Sequence, residues 1–219
     1  MSHRTNPWHS RGYLPHFDQP GATQSITFRL ADSVPSTLIR RWRSELKLDE
    51  AEAAAEPQRV ELRRRIERFA DRGFGECWLQ VPSIAEIVEN SLFHFDGERY
   101  ALIAWCVMPN HVHVMVETRA QSSLREIMHS WKSFTSKACN RYLNRTGQFW
   151  APDYFDRFIR DTRHLQAAIQ YIHENPVKAG LVELPADWRF SRAYFTHADR
   201  NSETYPLRGL DCGSSASSP

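Results

Sequence analysis

The sequence predicts an α+β fold of ferredoxin-like type, in which helices cover an antiparallel sheet and a helical hairpin is inserted. Two observations lead to this prediction. Alternating or continuous apolar runs, which are typical of strands, occur at 25–30, 99–108, 110–117 and 154–160. Between these runs, apolar residues recur at helical spacing. The resulting order of strand, helices, strand, strand, helix, strand and helix suits a sheet with helices packed on it.

The first third of the chain is predicted to hold an arm, one strand and a pair of helices. Residues 1–22 are rich in Pro, Gly, His and Arg and are expected to be irregular. After the strand at 25–30, helices are expected at 37–56 and 58–72, because Pro57 disfavours one continuous helix. The second helix is rich in arginine, so we expect a helical hairpin with charge on its exposed faces.

Helices and strands alternate in the rest of the chain. Further helices are predicted at 83–95, 124–143 and 162–174. The last of them should stop before Asn175, because the residue that precedes a proline, here Pro176, avoids helical geometry. Residues 197–219 are polar and rich in serine, and we expect a disordered tail there. The folded domain is therefore predicted at 23–196.

The composition indicates a folded protein without a membrane span. Of the 219 residues, 41% are hydrophobic and 12% are aromatic, which is enough to bury a core. The net charge of +2 hides clusters of arginine at 40–43 and 59–68, which are compatible with binding to phosphates. A polar N-terminus and the lack of long apolar runs predict a cytoplasmic protein. The four cysteines form no Cys-x-x-Cys pair, which argues against a zinc ribbon.

His111 and His113 are the most informative residues of the chain. They lie on the alternating run 110–117, so both imidazoles should project from one face of a strand while Val112 and Val114 face the other side. Two neutral imidazoles on a rigid strand supply half of a divalent-metal site. They indicate a nuclease that polarises a phosphate with one metal ion. Because the chain has ten histidines, the spacing can also arise by chance.

Tyr171 and Asn175 form a second informative pair. They are four residues apart and therefore share one face of a helix. A tyrosine hydroxyl can attack phosphorus and hold the product covalently. An amide oxygen is a hard ligand that suits Mg²⁺ or Mn²⁺. The plain alternatives are a core tyrosine and an asparagine that caps the helix, and spacing alone favours these alternatives.

Five motifs occur in one order along the chain: MPNHVH at 108–113, WKS at 131–133, GQFW at 147–150, DYFDR at 153–157 and YIHENPVKAGLV at 171–182. In that order they resemble the motifs of REP-associated tyrosine transposases, which are part of the wider class of HUH single-tyrosine transposases. YLPHFDQPG at 13–21 and ITFRL at 26–30 look like one subgroup of the family. The resemblance covers roughly residues 10–195, and several motifs in register are more specific than any one of them.

The resemblance implies an enzyme that nicks and rejoins single-stranded DNA near hairpins of repeated imperfect palindromes. By position, it makes His111 and His113 the paired metal ligands and Tyr171 the nucleophile. Asn175 would be the third ligand, at a place where related insertion-sequence enzymes carry Gln. The implied cofactor is Mg²⁺ or Mn²⁺, and the implied intermediate is a 5′-phosphotyrosine, whose conserved bond energy makes a nucleotide cofactor unnecessary. The resemblance favours a monomer over a dimer.

Basic side chains and aromatic rings are the usual contacts to a single DNA strand. Four cations near the expected site are candidates for binding phosphates: Lys132, Arg157, Arg160 and Lys178. Phe149 and Trp150 are candidates for stacking on bases, whereas Trp131 lies at a core spacing and is expected to be buried. The arginines of the helix predicted at 58–72 could form a solvent-exposed face or contact the DNA hairpin, and the sequence favours neither interpretation.

Other functions remain open on the sequence alone. A domesticated transposase could bind hairpin DNA without cutting it. A metal-independent phosphoesterase would need paired His-x-Thr or His-x-Ser motifs, and no such pair occurs near residue 111. A structural zinc site could combine histidines with a cysteine. For the transposase reaction no side chain is identified as the general base, so a metal-bound water or a phosphate oxygen could take the proton.

Overall fold

A computed structural model describes residues 8–10, 15–17, 19–48 and 56–198. At its start, two short strands, β1 (Trp8–Ser10) and β2 (Pro15–Phe17), pair antiparallel. Part of the segment 1–22 is therefore a small sheet, where the sequence predicted only an irregular arm. Strands of three residues are too short to show the alternation on which the prediction depended. The predicted tail beyond Ala198 lies outside the described residues.

The main sheet contains four antiparallel strands: β3 (Thr23–Arg29), β4 (Tyr100–Val107), β5 (His111–Thr118) and β6 (Phe155–Phe158). In space their order is β4-β5-β3-β6, so β5 and β3 are the central strands. With helices between β3 and β4, between β5 and β6, and after β6, this is the ferredoxin-like arrangement. The predicted α+β class is confirmed.

Within the described ranges there are six α-helices: α1 (Ser36–Glu45), α2 (Glu56–Ala70), α3 (Pro82–Phe93), α4 (Leu124–Tyr142), α5 (Thr162–Lys178) and α6 (Arg192–Ala198). None of the described helices is long and apolar enough to span a bilayer. Helix α1 ends much earlier than the predicted residue 56, because the backbone turns left-handed at Lys47, with a φ of 53°. Leu46 and Leu48, on either side of that turn, pack against the hairpin core.

Helix α5 runs through Pro176, so the prediction that it stops before Asn175 is wrong. Proline removes one N–H group, and here the loss falls in the last turn of the helix. The helix continues because the amide groups beyond the proline still bond backwards, Ala179 to the Asn175 carbonyl and Leu181 to the Pro176 carbonyl, both at 2.9 Å. Tyr171 and Asn175 therefore lie on one uninterrupted helix.

The two faces of the sheet carry different groups. On β5, Val112 and Val114 face the larger core, which α3 and α4 cover. The alternate positions include His113, whose ring contacts Tyr171 of α5. Helices α4 and α5 therefore lie on opposite faces of the sheet, and the predicted division between apolar and histidine faces of β5 agrees with the structure.

Helices α1 and α2 form the predicted hairpin and have a small core of their own. Leu62 and Ile66 of α2 pack with Ile39 of α1 and with Phe155 of β6, which attaches the hairpin to the β6 edge of the sheet. The outer side is charged: the guanidinium of Arg65 lies 2.7 Å from Glu45 Oε2 and 3.1 Å from Glu61 Oε1. The hairpin is thus a separate layer beside the histidine face of the sheet.

Candidate active site

His111 and His113 meet on the buried histidine face of β5. Each residue is only 1% exposed, and their Nε2 atoms are 3.0 Å apart. The other ring nitrogen of each histidine, Nδ1, is within hydrogen-bond distance of a neighbouring side chain. Asn110 Oδ1 lies 2.8 Å from His111 Nδ1, and Thr27 Oγ1 lies 2.9 Å from His113 Nδ1. Because an amide oxygen only accepts, His111 donates from Nδ1 and keeps a lone pair on Nε2, which is the form that binds a metal.

Burial keeps both imidazoles uncharged. Desolvation lowers the pKa of His111 to about 3. It also lowers the pKa of His113 well below its usual value, and the nearby His111 and Lys178 act in the same direction. Neutral imidazole is the ligand form of histidine, so the pair is ready to bind a divalent cation at neutral pH.

Asp71, the residue that follows α2, brings a carboxylate to the histidines. Its Oδ1 lies 3.5 Å from His111 Nε2, and this buried oxygen has no hydrogen-bond partner among the described residues. One ligand atom from each of Asp71, His111 and His113 lies within 4.8 Å of the others. Desolvation raises the pKa of Asp71 to about 6, against the opposing charge of Lys178. A bound cation would relieve this cost, because it favours the charged carboxylate.

Asn110 links the end of α2 to the histidine strand. Its Nδ2 donates to the carbonyl oxygens of Ala70 at 3.0 Å and Phe74 at 2.9 Å, while its Oδ1 holds His111. This one buried side chain therefore sets the position of Asp71 relative to His111. The asparagine of the MPNHVH motif thus has a structural role in the site.

Tyr171 of α5 lies against the histidine pair. Its ring centroid is 5.5 Å from that of His113, with the planes at 85°, and the Lys178 ammonium is 5.0 Å from the Tyr171 ring centroid. Burial raises the pKa of the Tyr171 hydroxyl, and the negative charges of Glu67 and Asp71 raise it further. The predicted nucleophile is therefore protonated at neutral pH and needs a proton acceptor.

Glu67 of α2 lines the same cavity as Tyr171, and the two groups influence each other's pKa. Burial raises the pKa of this carboxyl group to about 7, with opposing contributions from Arg63, whose Nε lies 3.8 Å from Glu67 Oε1, and from the Tyr171 hydroxyl. Asp71 adds to the increase. The structure thus brings a carboxyl group that titrates near neutrality to the tyrosine hydroxyl, where sequence analysis had identified no general base.

Sequence analysis missed both Glu67 and Asp71, because they lie in the inserted hairpin, far from the motifs in the chain. One local signal was available for Asp71. It stands directly after a helix, where the exposed carbonyl groups of the helix end disfavour a negative charge. An acidic residue at that position suggests a role that offsets the cost.

Three of the four cations predicted to bind phosphates lie on β6, on α5 or between them, and the fourth lies on the other face of the sheet. Arg157 of β6 lines a cavity of about 430 Å³ together with Tyr171. Lys178 lies over the Tyr171 ring and pairs with Glu174 at 2.9 Å. Arg160 is exposed between β6 and α5.

Lys132 does not flank Tyr171 as the sequence predicted. It lies on α4, on the other face of the sheet, and donates to the carbonyl oxygens of Ala151 at 2.6 Å and Pro152 at 2.7 Å. Burial lowers the pKa of Lys132 to about 8, against the opposing effect of Asp153. Its ammonium therefore holds the loop before β6.

The aromatic motif residues belong to the core. Trp131 is buried, as predicted, and its Nε1 donates to the Tyr100 hydroxyl at 2.9 Å. Phe149 and Trp150 are also buried, at 2% and 3% exposure, so the suggestion that they stack on bases is wrong. Trp150 packs against Phe28 at 4.8 Å between ring centroids, and it thereby joins the GQFW segment to β3.

Comparison with known proteins agrees with the motifs. Residues 84–175 match the sequence model of the family described as Transposase IS200 like. A REP-associated tyrosine transposase of Escherichia coli K12 is 32% identical over 113 residues, which cover 49% of this chain and 61% of that protein. A Haemophilus influenzae protein described as a REP-associated tyrosine transposase is 30% identical over 117 residues, which cover 49% of this chain and 65% of the relative.

The chain is thus similar to the REP-associated tyrosine transposases, as its motifs predicted, and its match spans less than two thirds of these relatives' length. A solved structure of a REP-associated tyrosine transposase bound to a REP hairpin superimposes with a TM-score of 0.52 at 19% identity. That similarity covers 87% of this chain and 86% of the other, and shows that the two share a fold. The family match leaves the hairpin of α1 and α2, with Glu67 and Asp71, outside its limits.

Proposed function

We propose that this chain is a metal-dependent enzyme that nicks and rejoins single-stranded DNA beside hairpins, with Tyr171 as the nucleophile. The observation that carries the proposal is the meeting of four side chains from three separate segments: His111 and His113 of β5, Tyr171 of α5 and Asp71 after α2. The names of the two curated relatives and the REP hairpin bound to the structural relative support the substrate class.

The donor set fits a divalent cation such as Mg²⁺ or Mn²⁺. Two neutral imidazoles, of His111 and His113, would hold it together with the buried Asp71 Oδ1, which has no hydrogen-bond partner in the part of the chain that the structure describes. When bound, the ion neutralises charge on the scissile phosphate and orients it. A structural zinc site is the weaker interpretation, because Cys77, Cys106 and Cys139 are buried free thiols and none of them joins the described cluster.

Asn175 remains a predicted ligand beside Asp71. Its Nδ2 donates to the Tyr171 carbonyl at 2.7 Å. A metal ligand at this position would have to be the amide oxygen, so the two roles are compatible. We propose Asp71 as the charged third ligand and Asn175 as a further oxygen donor.

The tyrosine does the covalent chemistry. The Tyr171 oxygen forms a bond to phosphorus, the bond from phosphorus to the 3′ oxygen breaks, and a 5′-phosphotyrosine and a free 3′-hydroxyl result. Glu67, which lines the same cavity, accepts the proton that Tyr171 loses, and the departing 3′ oxygen takes up a proton from solvent. In the rejoining step a 3′-hydroxyl attacks the phosphotyrosine and Tyr171 takes its proton back, so no nucleotide cofactor is needed. We also propose a cytoplasmic monomer, as the sequence suggested.

The experiment that tests this function uses single-stranded oligonucleotides from repeats that flank the gene, incubated with the full chain and Mg²⁺. We expect a covalent protein–DNA adduct on a denaturing gel and a second fragment that ends in a 3′-hydroxyl. Tyr171→Phe, which keeps the ring and its packing, should give no adduct but bind the hairpin as before. Tight hairpin binding by the wild type without an adduct would instead support the binding-only alternative.

A further inference from the structure

A cavity of about 430 Å³ opens beside Tyr171, between α2, β6 and α5. Four arginines contribute to its lining, and we call the cavity the arginine cleft: Arg63, Arg64 and Arg68 of α2 and Arg157 of β6. Among the described residues that line it, the acidic ones are Glu67 and Asp71, both of which have roles in the proposed active site. The described lining of the cleft therefore carries more positive than negative groups.

The arginines of α2 are divided between two roles. Arg65 holds the hairpin together through its ion pairs with Glu45 and Glu61. Arg64 and Arg68 are exposed and one helical turn apart, so they present two guanidinium groups along the same side of the cleft. Arg68 reaches Glu61 only at 3.7 Å and with 69% of its side chain exposed, which is a weak surface pair.

We infer that the arginine cleft binds the sugar-phosphate backbone of the single DNA strand next to the scissile phosphate. The inference rests on the proposed function, which supplies the identity of the substrate. It makes the inserted α1–α2 hairpin a DNA-contacting element, through Arg64 and Arg68 above all. Guanidinium groups suit this ligand because their planar donors match the oxygens of a phosphate.

The lining favours backbone contact over base recognition. Phe155 is 9% exposed and packs in the hairpin core, so it offers little ring surface for a base to stack on. Tyr171 is needed for chemistry. Phosphate contacts carry no sequence information, so this part of the strand should be bound in a sequence-tolerant, salt-dependent way. Because Tyr171 lines the same cavity, a phosphate held there is continuous with the one that reacts.

The test compares two double variants that each remove two exposed arginines. Arg64→Ala with Arg68→Ala changes the cleft, and Arg40→Ala with Arg41→Ala changes α1 by the same charge and is the matched control. Fluorescence anisotropy in EDTA measures affinity for a hairpin oligonucleotide with a single-stranded flank and for the same hairpin without the flank. Both variants are checked for a wild-type melting temperature.

The cleft variant should lose roughly tenfold in affinity for the flanked hairpin at low salt. Its plot of log affinity against log salt should be less steep by about 1.4, because each phosphate contact on a single strand contributes about 0.7. Affinity for the flankless hairpin and the binding of the control variant should stay within about twofold of wild type. Arg64→Lys with Arg68→Lys should restore the salt dependence, since the charges return.

The inference is overturned if the cleft variant binds the flanked hairpin with wild-type affinity and salt slope. It is equally overturned if both double variants, or both oligonucleotides, show the same loss. Adduct formation by the wild type with Mg²⁺ is measured in parallel. A wild type that forms the adduct while the cleft variant binds normally would refute the cleft and leave the proposed function intact.

Discussion

The sheet with α5 and the hairpin of α1 and α2 contribute to the candidate site in different ways. The sheet and α5 fix the imidazoles and the tyrosine in a buried layer, where neighbouring strands and helices hold them from several sides. The hairpin adds the two carboxylates and the arginines, and it is attached through a small core on Phe155 and the hydrogen bonds of Asn110. The histidines and the tyrosine of the proposed reaction thus belong to the sheet and α5, whereas the proposed charged ligand and proton acceptor come from the attached hairpin.

The largest effects should follow changes in the scaffold. His111→Ala and His113→Ala should each lower the cleavage rate by roughly a hundredfold or more, because losing a ligand costs more than losing its supporting hydrogen bond. Removal of the metal with EDTA should abolish cleavage by the wild type, and Mg²⁺ or Mn²⁺ should restore it. Quantitative cleavage assays measure this, with the exposed His129→Ala as control. Full activity in EDTA would refute the metal mechanism.

A change in the hairpin should weaken metal binding without removing it. Asp71→Asn keeps the size of the side chain but loses its charge, so Mn²⁺ affinity should fall by about tenfold to a hundredfold. Titration calorimetry measures the affinity, and cleavage should recover in part at high Mn²⁺ concentration. Asn175→Ala is the comparison. If it loses affinity while Asp71→Asn binds Mn²⁺ normally, the third ligand comes from α5 and the hairpin has no part in the metal site.

Glu67 should make the stability of the protein depend on pH. Its pKa is raised from an ordinary 4.5 to about 7, so ionising it in the fold is unfavourable. Compared with a variant that lacks this carboxyl group, the wild type should be most stable below pH 4.5. It should lose stability relative to that variant as the pH rises towards 7. Glu67→Gln should thus be more stable than wild type at pH 8, by up to about 3 kcal/mol, and similar at pH 4.5.

Denaturant unfolding in EDTA at several pH values measures the Glu67 effect. The same variant should cleave more slowly, since it lacks the proposed proton acceptor. A stability difference between Glu67→Gln and wild type that does not change with pH would contradict the account of this carboxyl group.

The smallest effect concerns Lys132, on the sheet face away from α5. Lys132→Met should reduce the free energy of unfolding by about 2 kcal/mol, because two carbonyl groups lose a charged donor. Affinity for the flanked hairpin should change by less than about twofold at a temperature where the variant is folded. If the variant is folded but binds DNA more weakly, the result would support the predicted contact between Lys132 and a phosphate.

Local patterns in the sequence were sufficient for the scaffold. Alternation identified the histidine face of β5, and a spacing of four placed Tyr171 with Asn175 on one helix. Phe149 and Trp150 were misjudged because an aromatic residue in a polar loop shows no period that distinguishes a core position from a surface one. The end of α5 was wrongly predicted because the residue before a proline only prefers to leave helical geometry, and here the hydrogen bonds of Ala179 and Leu181 continue the helix past Pro176.

The hairpin's part in the site could not be predicted from local patterns. The contact between Asp71 and His111 depends on the packing of Leu62 and Ile66 against β6 and on the side chain of Asn110. Each of these residues has an ordinary role in its own segment. Only the three-dimensional arrangement brings the carboxylates to the histidines and the tyrosine.

The most direct test of the account is to find which residue carries the DNA. The wild-type chain is reacted with a flanked hairpin oligonucleotide and Mg²⁺, digested with nuclease and protease, and the modified peptide is identified by mass spectrometry. The account predicts a nucleotide attached through its 5′-phosphate to Tyr171 alone, and none when Tyr171→Phe is used. Attachment to Tyr142, Tyr154 or Tyr194, or an adduct that survives in Tyr171→Phe, would contradict it.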